Sequence, residues 1–176
     1  MTSHKPNVSL LRSLQESVGD IIEPLRRALL EAHQPNRHEA LNAVDLLMGE
    51  LTMVAMLFAS VDVDVTGDEL NLLNNVRRAV QGDAALLLDS GSYQELCRRF
   101  LSMYPGRILT IDHVPETIKH LVAYDRANGT QYAEHARALF LRFASAIVTA
   151  DKTEYPTESI SLANFKDILY SPIEVV

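Results

Sequence analysis

"LTMVAMLFASVDVDVTGDEL", residues 51–70, decides the fold. Its first half is apolar on almost every helical face, which predicts a helix surrounded by its neighbours. Its second half is an acidic turn. Thr66 and Glu69 then give the T-x-x-E spacing of a capping box, which opens another helix. The turn begins like a calcium loop, with Asp62, Asp64, Thr66 and Gly67 at positions 1, 3, 5 and 6. An EF-hand closes with a bidentate Glu at position 12. That position is Leu73, which cannot coordinate a hard cation. Helix, tight acidic turn and helix therefore read as an αα-hairpin.

The same pattern returns near the end of the chain, in "RFASAIVTADKTEYPTES", residues 142–159. Each copy is a long apolar helix, then an Asp, then a Glu seven residues on: Asp62 with Glu69, and Asp151 with Glu158. The repeat predicts two hairpins packed together, their first helices spanning about 37–60 and 131–149.

Working outward, period-3.6 patterns are nearly continuous and alternating runs are scarce, so the fold class is all-α, a compact bundle of about seven helices. A first helix covers about 7–30 on a stripe from Val8 to Leu29, with a kink or break expected at Pro24. Asn36 and Glu39 form an N-x-x-E start for the second helix. The third runs from the acidic turn to about Val80. "QGDAALLLDSGS" reads as a short helix or an irregular turn, and Ser92 with Glu95 as the cap pair of a helix reaching Met103. "RILTI", residues 107–111, is the one plausible strand. Pro115 opens the next helix and Gly129 closes it. The last helix covers about 157–169. The whole chain, 1–176, reads as a single domain, with residues 1–35 packing on it and 171–176 forming a tail or the start of a linker.

A length of 176 residues and 47% hydrophobic content suit one domain with a real core and exclude a disordered chain. The net charge of -7, with arginines in scattered pairs, argues against nucleic acid as a partner. No run is long enough to cross a bilayer and no signal sequence opens the chain, so no membrane insertion is expected. The single cysteine, Cys97, permits no internal disulfide and fits a reducing, cytoplasmic setting, with a buried and inert thiol. P-loop, Rossmann and nucleophile-elbow patterns are missing, and no His spacing matches a zinc site, so the chain reads as no enzyme.

The acids of the two turns carry two readings. Asp62, Asp64, Asp68, Glu69, Asp151, Glu154 and Glu158 could converge on one divalent cation (Ca²⁺, Mg²⁺ or Mn²⁺), because hard cations take several oxygen ligands. Helix capping accounts for the same spacing: Glu69 and Glu158 stand where a capping-box acid belongs, near the positive end of a helix. Asp62 and Asp151 lie several residues ahead of the next helix, where Asx-type bonds can hold a turn.

This doubled helix–acid–helix pattern resembles the TerB-like family, helical domains found with tellurite-resistance operons. The likeness spans roughly 40–170. Tyr124 to Ala133, the Tyr-Asp…Asn-Gly-Thr-x-Tyr-Ala segment, looks closest to TerB-like regions ahead of SpoVK-class AAA ATPases. The resemblance implies a non-enzymatic interaction or sensing domain in tellurite or stress response, with metal held by the acidic turns. It also implies a protein partner, such as an AAA-type ATPase or a protein of the same operon. Two alternatives follow: a regulatory or adaptor region of such an ATPase, separate or at the front of a longer chain, and an unrecognised metal-dependent enzyme. Self-association is compatible with a bundle of this size.

Overall fold

The computed structural model describes residues 8–32, 42–59, 66–103, 113–150 and 156–173. These residues form α1 (Val8–Ala32), α2 (Ala43–Ala59), α3 (Gly67–Gln81), a 3₁₀ turn (Gly82–Ala84), α4 (Ser90–Met103), α5 (Glu116–Asn128), α6 (Tyr132–Val148) and α7 (Pro156–Leu169), with no strand among them. The all-α expectation holds. "RILTI" and the Asn36–Glu39 pair lie outside the described residues.

The two hairpins are present as packed pairs, α2 with α3 and α6 with α7, and they meet through their first helices. α6 touches α1, α2, α3, α5 and α7, and so stands at the centre. Its inward face, including Leu139, Phe140, Phe143 and Ile147, is essentially inaccessible. Phe58, near the end of α2, meets Phe165 of α7 edge to face at 5.8 Å between ring centres. The end of α2 therefore abuts α7 nine residues, roughly 13 Å along its axis, from the start of that helix. α2 is enclosed almost all round, as its sequence predicts. Its exception is a line through Asp45, Gly49 and Met53, four residues apart, which faces solvent.

Several helix boundaries correct the sequence reading. α2 begins at Ala43, not at 37: the Asn42 side chain accepts from the N–H of Val44 at 3.0 Å. Asn42 and Asp45 repeat the same N-x-x-acid spacing six residues later. α4 is capped by Asp89, not Ser92: the carboxylate accepts from the Ser92 N–H at 2.9 Å and its hydroxyl at 2.7 Å. Glu95 instead holds Arg98 and Arg99. α1 continues through Pro24, although the ring there deprives the Asp20 carbonyl of its usual donor. Of residues 171–176, the described ones reach back to the bundle. Ile173 packs on the core, and its carbonyl accepts from Arg126 at 3.3 Å. Just ahead of it, the Arg137 guanidinium lies 5.5 Å over the Tyr170 ring while that phenol donates to Glu134.

Candidate functional site: the helix starts and the segment after α3

Among the acids of the two turns, the described residues include the start of α3. The Thr66 hydroxyl accepts from the Glu69 N–H at 3.3 Å. Glu69 Oε2 accepts from the Thr66 N–H at 2.7 Å and from its hydroxyl at 3.1 Å. The capping box read from the sequence is complete. Glu69 is buried, whereas Asp68 beside it is exposed. A buried carboxylate needs such donors, because desolvation without them is costly. Asp62, Asp64, Asp151 and Glu154 lie outside the described residues. The backbone of Glu158 belongs to the first turn of α7; its side chain also lies outside them.

Two further carboxylates close helix starts, and the sequence marks neither as a cap. Glu50, in the middle of α2, accepts from the Glu116 N–H at 2.6 Å and reaches the Thr117 N–H at 3.3 Å. It caps α5 from another helix. Burial raises its proton affinity above the ordinary Glu range, outweighing the bonds from Thr117 and Glu116. Asp125 closes α6 across the Asn128–Gly129 turn. It accepts from the Thr130 hydroxyl at 2.6 Å and from the N–H groups of Tyr132 at 2.9 Å and Ala133 at 2.7 Å. Gly129 sits at φ 68°, where a side chain would be strained. The Tyr124 to Ala133 segment is thus a corner built around one carboxylate. Tyr124 and Tyr132 are half-buried there, their ring centres 6.3 Å apart.

Behind the α3 start lies a buried polar corner. Tyr93 and Cys97, one turn apart on α4, are inaccessible. The Tyr93 hydroxyl meets no acceptor in hydrogen-bond geometry. Burial first, and then the neighbouring Cys97 thiol and Glu69 carboxylate, hold the phenol far above its ordinary pKa. The expectation of a buried Cys97 is met.

The segment between the 3₁₀ turn and α4 has a different character. The Asn74 side chain donates to the Leu88 carbonyl at 2.8 Å and accepts from the Leu88 N–H at 2.9 Å. This two-way bond fixes the chain leading to Leu88, yet Leu86 is 81% exposed and Leu87 40%. Neither helical periodicity nor a capping pattern marks this display. The signal in the sequence is three consecutive leucines in a segment flanked by Gly, Asp and Ser.

Among the described residues no three His, Cys, Asp or Glu side chains gather as they would around a metal ion. His113 and His135 are exposed and His120 is half-buried. No described helix is long and apolar enough to cross a membrane. Comparison with protein-family models, with curated proteins and with solved structures finds no match to this chain.

Proposed function

We propose that this chain is a non-enzymatic helical interaction domain that docks a protein partner. The observation that supports it is the Leu86–Leu87 display. Exposed leucines are ordinary one at a time. Here two adjacent ones sit on a segment held by a two-way side-chain bond. A segment already ordered in the free protein loses little conformational entropy when a partner covers it. The resemblance to TerB-like domains adds the context of tellurite or stress response, with an AAA-type ATPase or an operon partner as the protein to be docked. In this reading the acidic turns serve helix closure, as Glu69 does. The competing reading gives them to a divalent cation and the chain to sensing.

The test is crosslinking in the source cell. The full-length wild-type chain is compared with Leu86→Ser/Leu87→Ser, and thermal unfolding controls for folding. The expected result is a crosslinked partner band lost in the variant at an unchanged or higher midpoint. Identical crosslinking in both chains would remove the support for an interaction domain acting through this segment.

A further inference from the structure

The arginines of the described residues fall into three groups. Those on α1 and α4 pair with glutamates one turn away. Arg126, Arg137 and Arg142 bond carbonyls or hydroxyls of other elements. Arg77 and Arg78, in the last turns of α3, take no ion pair or side-chain hydrogen bond among the described residues. Arg78 is exposed and near the negative end of its helix, which suits a cation. Arg77 is not so simply explained. It is half-buried, its Nε is enclosed without an acceptor, and burial lowers its pKa. One turn on, Gln81 encloses its Oε1 without a donor. An N–H withdrawn from water without an acceptor, as at the Arg77 Nε, costs stability.

The exposed leucines lie on the same side of the molecule. Asn74, Arg77, Arg78 and Gln81 share one face of α3, being three, four and seven residues apart. After the 3₁₀ turn at the end of α3, the chain comes back so that Leu88 bonds Asn74. Residues 85–88 therefore return along the last two turns of α3, beside that face. The exposed leucines, next to the anchored Leu88, and the Arg77 side chain with its unpaired Nε are thus carried by neighbouring stretches of chain.

We propose that Arg77, Arg78, Leu86 and Leu87 form a docking surface for an acidic–apolar segment of a partner protein. A carboxylate of that segment pairs with the Arg77 guanidinium, and an adjacent apolar side chain covers the leucines. The proposal rests on the interaction-domain reading and names its partner's chemistry. Charge complementarity commits it to an acidic occupant: a guanidinium binds a carboxylate bidentately, and the bond strengthens where water is excluded. The chain's net charge of -7 opposes such a partner at long range. Screening over about 8 Å at physiological salt confines that repulsion and leaves recognition to contact.

The experiment is selection of a displayed random-peptide library on the full chain. The selected peptides are then measured by fluorescence polarisation against wild type, Leu86→Ser and Arg77→Met. The expected peptides carry Asp or Glu beside Leu, Ile or Phe, and bind each variant at least tenfold more weakly. Arg77→Met should unfold no earlier than wild type, since it removes a cation that has no acceptor. Leu86→Ser alters an exposed side chain and keeps the test valid if the methionine variant folds poorly. Acidic peptides that bind both variants as tightly as wild type overturn this surface but leave an interaction domain standing. Enrichment of basic peptides overturns it too. No enrichment at all counts against both readings. A concentration-dependent dimer abolished by Leu86→Ser, without peptide binding, would make the occupant a second copy of the chain and overturn the proposal.

Discussion

α3 and α5 both begin on a carboxylate, and the two carboxylates come from very different distances. Glu69 serves the start of its own helix, three residues from Thr66. Glu50 serves Glu116 and Thr117 from α2, across a separation of more than sixty residues. The first closure forms as soon as the turn forms. The second exists only once α2 and α5 have met, so it reports tertiary structure rather than local preference. Asp125 stands between them: it reaches five to eight residues along the chain, across a left-handed glycine.

The comparison can be broken most forcefully at Asp125. Asp125→Ala removes three bonds at the start of the central helix. It should cost about 2–3 kcal/mol, since bonds to a charged group each contribute more than neutral ones. For a chain of this size that is roughly 4–12 °C in a thermal midpoint. Glu50→Ala should cost somewhat less, about 1–2 kcal/mol, because burying the carboxylate already offsets part of its bonds. Its effect should appear in hydrogen exchange of both α2 and α5, whereas loss confined to α5 would make Glu50 a local cap after all. Thr66→Ala should cost about 1 kcal/mol and slow no contact outside the α3 corner.

Glu50 also sharpens the contrast through pH. Its proton affinity is raised in the folded chain. The folded state therefore binds this proton more tightly than the unfolded one. The stability it contributes is fully present below the ordinary Glu value and is lost as pH rises through the raised one. The stability difference between wild type and Glu50→Gln should move against wild type as pH rises through that window. A difference that stays flat in urea melts at several pH values would show that burial leaves Glu50 unperturbed. The smallest expected effect belongs to the acidic turns. If they act as helix closures, Ca²⁺, Mg²⁺ or Mn²⁺ should leave the midpoint where EDTA leaves it. A cation-specific rise, lost in Asp62→Asn/Asp151→Asn, would restore the metal reading, because a ligand of the folded state must raise the midpoint.

What was legible in the sequence follows the same division. The Thr66–Glu69 box, Pro115 and Gly129 were found because their bonds span only a few residues. The apolar stripes gave the helices and the packed pairs for a similar reason. Where two local patterns overlapped, spacing alone chose wrongly: Ser92-x-x-Glu95 fits a cap pair, but Asp89-x-x-Ser92 does too, and Glu95 is drawn off by Arg98 and Arg99. The Glu50 cap, the Asn74–Leu88 bond and the unpaired Arg77 carry no short-range signature. Each is a relation between elements, visible only when the helices are in place. Of the acids named from the two turns, Glu69 has a settled local role; the proposed docking surface was not foreseen at all.

The enclosed phenol of Tyr93 gives the molecule a built-in optical reporter. The chain has six tyrosines and no tryptophan, so its near-ultraviolet absorbance and emission come mainly from phenols. In an alkaline absorbance titration, phenols open to water give up their protons ahead of an enclosed one. Tyr93 cannot join them until α4 comes away from the bundle. The last increment of phenolate absorbance therefore counts open molecules. Its rise with time after a jump to high pH measures how fast the interior is breached, without a dye, a label or a substitution.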